Sequence, residues 1–195
     1  MMVAEPTHAA ALSAWEAYYV IVGSSGAALV GLQFVVLTLI AERSRPSSMT
    51  TLSAFGTPTV VHFAGALTVS AVMSAPWPSL LAASAALSLL AVAGFLYIAT
   101  VIRHARRQKE YKPEADDWVW YVITPTVVYA ALTVAALVLS DESQAALFVI
   151  GGSALSLLLI GIRNAWDTVT YIVVRGAEAP SESTPPPPPP PSPQP

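Results

Sequence analysis

The chain has 195 residues, 54% of them hydrophobic and only 11% charged, with a mean hydropathy of +0.59. Soluble domains carry roughly a quarter charged residues, so this composition points to a membrane protein. The net charge of −3 offers no surface for nucleic acid, and the absence of cysteine excludes disulfides, thiolate metal sites and a cysteine nucleophile.

Residues 1–16 read as a short extracytoplasmic lead-in. They hold Glu5 and Glu16 but no lysine or arginine, and so lack the basic region of a signal peptide. Thr7 suits an N-cap for a lead-in helix over 9–15. The first span is expected at 17–40, enough for the ~20 residues that cross a ~30 Å hydrocarbon core. Trp15, Tyr18 and Tyr19 open it at the headgroup level. Gly23, Ala27 and Gly31 recur at four-residue spacing and predict a small-residue packing face, because membrane helices associate largely through close backbone approach. Gln33 is the strongly polar side chain of this span.

A loop with Arg43, Arg45 and Pro46 precedes the second span, 55–75. His62, Ala66, Ser70 and Ser74 share one face of it, which suits burial among other helices better than contact with lipid. A tight turn follows at Pro76, Trp77, Pro78 and Ser79. The third span, 80–102, ends in the basic run Arg103, Arg106, Arg107, Lys109 and Lys112. Asp116 and Asp117 then favour a helix N-terminus. The fourth span, 118–139, opens with Trp118, Trp120 and Tyr121 and contains Pro125, which predicts a kink. After the polar turn at 140–144, a fifth span covers 145–174. At ~1.5 Å per residue this is ~45 Å, so its far end must tilt, bend or leave the hydrocarbon. Residues 176–195, with seven consecutive prolines from Pro185 to Pro191, read as a disordered or polyproline II tail.

Together these segments predict an all-α, five-helix transmembrane bundle over 17–175, and the charges choose its orientation. With the N-terminus outside and the C-terminus cytoplasmic, every basic residue except Arg163 falls on the inner side. The outer segments then hold none. Trp15, Tyr18, Tyr19 and Trp77 form the outer aromatic belt; Trp118, Trp120, Tyr121, Trp166 and Tyr171 form the inner one. The outer turns are too short for an extracytoplasmic domain.

Gln33, His62, Arg163, Asn164 and Asp167 fall in the inner half of this bundle, with Tyr97 and Thr100 nearby. Ionisable groups inside spans are costly and mark functional sites by default. The competing reading is an anchor: Arg163 lies within a turn of the inner interface and can snorkel, with Asp167 paired to it four residues on. His62 alone is more often a packing residue than a ligand. His8 and His104 lie on opposite sides of the membrane, so no histidine metal site forms, and no cofactor fingerprint or catalytic motif appears. The Gly23-Ser24-Ser25-Gly26 run lacks the spacing of a nucleophile elbow. The basic loop suits anionic headgroups. The proline tail suits either an aromatic-lined, polyproline-recognising groove or no partner at all.

Two stretches carry a resemblance. Trp15-Glu16-Ala17-Tyr18-Tyr19 leading to Gly23, with Ala27-Ala28-Leu29-Val30-Gly31-Leu32-Gln33-Phe34-Val35, resembles the start of a group of small, mostly uncharacterised bacterial membrane proteins. Asn164-Ala165-Trp166 is similar to that group's closing motif. The resemblance covers the first and last spans and implies a bundle of the bacterial cytoplasmic membrane without catalytic residues. Some members are labelled modulators of a membrane-bound AAA protease. The expected function is accordingly a non-enzymatic accessory or regulatory bundle, with the bilayer, another membrane protein or a second copy as partner. The alternative is an oligomeric channel or small transporter that uses the inner polar cluster.

Overall fold

A computed structural model of the protein describes residues 12–43, 49–107, 118–139 and 144–178. Thr7, His8, Arg45, Lys109, Lys112, Asp116, Asp117, most of the polar turn at 140–144 and the proline tail from residue 179 lie outside the described residues.

The described residues form helices and no strand. After one turn at 12–15 come α1 (Glu16–Arg43), α2 (Met49–Ser74) and α3 (Leu80–Arg107). Helix α4 is a π-helical turn, Val119–Ile123, that runs into α-helix over Thr124–Leu137, and α5 covers Gln144–Glu178. All five are long and apolar enough to cross a membrane. Their apolar windows match the expected spans closely, but the helices run on past them. α1 continues to Arg43, α2 starts at Met49 rather than 55, and α3 continues to Arg107. Hydropathy marks where the hydrocarbon ends, whereas backbone hydrogen bonding continues into the polar zone. At 35 residues and ~1.5 Å each, α5 is ~52 Å long, well over the ~30 Å of a hydrocarbon core.

The π turn has a local cause. Pro125 offers no N–H to the carbonyl four residues back, and its ring crowds that carbonyl. The backbone widens there, and the Thr124 N–H reaches back five residues to the Val119 carbonyl. The α-helical part then starts with proline in its first turn, where a missing N–H costs nothing. The kink expected at Pro125 thus takes the form of a π turn before it.

Helices α2, α5, α4 and α3 close a four-helix ring, and α1 lies along the outer side of α2, touching α5 less. Half or more of the α2 and α5 windows is buried (50% and 56%), against 22% for α1 and α3. The outward faces of α1, α3, α4 and α5 carry exposed Val, Leu, Ile and Phe all round. A soluble monomer does not expose so much contiguous apolar surface. One end of the bundle, here the turn end, holds the start of α1 and the α2–α3 turn. The other, the basic end, is where the sequence concentrates lysine and arginine.

The helices are held by rings seated on glycines. A Cβ on Gly94 of α3 would lie 2.4 Å from the Tyr129 ring of α4, and one on Gly161 of α5 would lie 2.5 Å from the Phe63 ring of α2. At the turn end, Trp15 covers Gly151, where a Cβ would come within 2.7 Å, and packs edge-on against Phe148 at 4.8 Å between ring centroids. Tyr18 donates to the Gly151 carbonyl at 2.8 Å. The aromatic opening of α1 therefore clamps α1 to α5 as well as marking an interface.

The small-residue face of α1 differs from the expected one. Gly23 and Gly26 meet α2, with a Cβ on Gly23 falling 2.9 Å from Ser70 and one on Gly26 falling 3.0 Å from the Phe63 carbonyl. Ala27 is exposed, and a Cβ on Gly31 would meet nothing within 4 Å. The packing strip is Tyr19, Gly23, Gly26, Val30 and Gln33, spaced alternately by four and three, with Val22 buried beside it. A strict four-residue step drifts around the helix and leaves that face.

Gly94→Ala is expected to destabilise the bundle by ~1–3 kcal/mol through overpacking, and Tyr129→Leu on the same chain should recover part of the loss. Gly31→Ala should be neutral or stabilising, because helix propensity alone acts there. Thermal unfolding in detergent, followed by loss of the monodisperse elution peak, measures each.

Candidate functional site

The five polar residues marked in the sequence separate into three environments. Arg163 and Asp167 form an ion pair on the surface of α5, each about one-third exposed. The guanidinium stands 5.6 Å from the centre of the Trp120 ring, beside the π turn of α4. Trp166 next to them is 70% exposed. The cation over an indole and the carboxylate one turn on are thus satisfied at the surface of α5 itself.

Gln33 lies on the other side of α5, in a groove of about 270 Å³ between α1 and α5 that is floored by Phe63 and lined by Leu29, Val36, Ile162 and Trp166. The α1–α5 clamp is at the turn end, so towards the basic end the two helices part and leave this space. Its walls are almost wholly apolar apart from the Gln33 amide.

His62 and Asn164 are in the core. Asn164 is fully buried and its side chain has no hydrogen-bond partner for either its Oδ1 or its Nδ2. Its backbone carbonyl accepts the Thr168 hydroxyl at 2.9 Å, one turn on. His62 is 1% exposed, with an unpartnered Nδ1, and lies between the Tyr97 and Tyr129 rings at 6.3 and 6.5 Å. An unpartnered buried polar group costs ~1–3 kcal/mol, and membrane interiors offer no solvent to relieve it. The third such group among the described residues is the Tyr19 hydroxyl, alone at the turn end.

Two contacts fix the antiparallel register of α2 and α5: Gly65 faces Leu157, and Phe63 faces Gly161. This register puts buried Thr59 level with Asn164, and His62 within a turn of it. Helical side chains lean towards their own N-terminus. On antiparallel helices the His62 head therefore leans to the basic end and Asn164 leans back towards it. Nearer the turn end the chemistry changes. Leu87, Leu132, Ala136, Ile150, Ala154 and Leu157 are each fully buried there. The buried hydroxyls among them donate to backbone carbonyls: Ser84 to Ala136 at 2.6 Å, Ser70 to Ala66 at 2.9 Å and Ser153 to Val149 at 2.7 Å.

Of the face His62, Ala66, Ser70 and Ser74, the first three are buried and Ser74 is exposed. Ser24 and Ser25 return their hydroxyls to carbonyls of their own helix, as serines in membrane helices do. Thr59, Phe63, Gly161 and Thr168 were not singled out by sequence reasoning. The signal for two of them was present, since Gly161 and Thr168, with Asn164 between them, continue the seam Ile150, Ala154, Leu157. Among the described residues no group of three or more His, Asp or Glu side chains is placed to hold a metal. No protein family, curated protein or solved structure matches the chain.

Exchanging the pair as Arg163→Asp with Asp167→Arg should be tolerated better than Arg163→Ala or Asp167→Ala alone, since the exchange places the acid N-terminal to the base, the better i,i+4 order. Expression level and unfolding temperature of the four proteins measure it. Equal damage from the exchange would show that each charge is needed at its own position.

Proposed function

We propose that this chain is a multi-pass protein of a bacterial cytoplasmic membrane, N-terminus outside and C-terminus cytoplasmic, serving as a non-enzymatic accessory or regulatory bundle that works through helix contacts. The observation that carries the reading is the aliphatic plug at the turn end. Fully buried side chains from α3, α4 and α5 fill the ring there, and every buried serine among them is spent on a carbonyl. A protomer so filled offers no polar route across the membrane. The Arg163–Asp167 pair, satisfied within its own helix and braced by Trp120, supports an anchoring role over a transport site.

The charge asymmetry supports the orientation, since all basic residues other than Arg163 cluster at one end. Membership of the small bacterial membrane proteins that the first and last helices resemble fits the same picture. Contact surface is plentiful: α1 is exposed over most of its length, and the groove beside it has depth for a side chain of a neighbouring helix. The partner is a second copy or another membrane protein.

Reporter fusions at the C-terminus should report a cytoplasmic location. Purified protein in proteoliposomes should pass no ions or small solutes. Flux that Arg163→Ala or Asp167→Ala abolishes would replace this reading with that of a channel or small transporter.

A further inference from the structure

The polar groups that the accessory role leaves unused are the Asn164 amide and the His62 Nδ1, both enclosed and both unpartnered. Surface area available to water at Asn164 is 0%, so in this closed arrangement no water reaches it. A buried amide without partners is a standing cost that any arrangement supplying a donor and an acceptor removes. A membrane helix has a cheaper residue for pure packing at such a position, as Leu157 and Ile150 show one and two heptad steps away on the same seam.

The surroundings permit such an arrangement at one end only. On its α1 side, α5 borders the groove at Ile162, Ala165, Trp166 and Val169, so it has unfilled space to move into at that level. On its α4 side it meets the π turn Val119–Ile123, a deformable element often found at functional sites. Above, Phe63 seated on Gly161 and the aliphatic plug hold α2 and α5 together. Phe63 and Gly161 are thus a pivot, with packed hydrocarbon on the turn-end side and polar groups on the other.

We propose that His62 and Asn164 form a hydration site between α2 and α5, closed in this structure, that takes water from the basic end when the C-terminal part of α5 shifts into the groove. Water suits the site because one molecule donates to His62 Nδ1 or Asn164 Oδ1 and accepts from Asn164 Nδ2. The carboxylate nearest Asn164 in sequence among the described residues, Asp167, is paired with Arg163 on the surface of α5, so the site is matched to an uncharged ligand. The vestibule is a dead end, because the plug seals it from the other side. It holds independently of whether the bundle has a helical partner.

The chain has no cysteine, so single-cysteine variants give a clean accessibility test. The probe is aminoethyl methanethiosulfonate, which reacts with the thiolate, a species formed where water solvates it. In full-length protein in liposomes, Thr168→Cys should label about tenfold or more faster than Ala154→Cys and Leu157→Cys. Thr168→Cys keeps Asn164 intact and so reports on the native site. Adding Asn164→Leu to Thr168→Cys should slow its labelling to the rate of the plug positions. Labelling of Thr168→Cys as slow as that of Ala154→Cys overturns the proposal, and so does labelling that Asn164→Leu leaves unchanged.

Discussion

The seam between α2 and α5 is the contact on which the rest of the bundle depends. Lipid tails give apolar helices no reason to prefer each other over the solvent, so a membrane bundle rests on close fit and on polar groups that must be satisfied. This seam has both. The Phe63 ring packs against Gly161, and no side chain larger than hydrogen fits there without moving the ring. Gly65 performs a similar service for Leu157 and the Tyr129 hydroxyl. Around α2 and α5, α4 packs on α5, α3 packs on α4 by receiving Tyr129 against Gly94, and α1 lies along α2. The arrangement accounts for the burial: the central pair is half enclosed, while α1 and α3 are mostly exposed.

The seam residues step alternately by three and four. On α5 they are Ile150, Ala154, Leu157, Gly161, Asn164 and Thr168; on α2 they are Thr59, His62, Ala66, Val69 and Met73. All are buried. An average step of ~3.5 residues is the spacing of left-handed packing, the common geometry of membrane bundles. This is why the face expected on α1 was displaced. Gly23, Ala27 and Gly31 follow a constant step of four, which turns ~40° at each step on a helix of ~3.6 residues per turn, and by Gly31 it has left the partner. The strip that α2 contacts contains Gly23 and Gly26 and ends at Gln33.

Much of the architecture was readable from the chain because lipid imposes a coarse rule: a spanning helix must be one long apolar run. Five such runs appear and five helices stand there. Helix ends were not readable, since the rule lapses where the hydrocarbon does; Arg43, Thr50, Thr51 and Arg107 are helical without being apolar. The division of the polar residues was hidden for another reason. Arg163 and Asn164 are neighbours in sequence, but ~100° apart around α5, so one faces Trp120 at the surface and the other is enclosed. Hydropathy gives no phase. The heptad seam does, and reading it forward from Ile150 places Asn164 inside and Arg163 outside.

That same seam changes character along its length. From Ile150 to Leu157 it is aliphatic; from Asn164 to Thr168 it is polar; Gly161 is the point between. An aliphatic seam loses contact energy when it separates, with nothing gained from lipid in return. A polar seam with unpartnered groups gains hydrogen bonds when water enters, which offsets what separation costs. The two halves of one helix pair therefore respond oppositely to the same displacement, with Phe63 and Gly161 as the boundary.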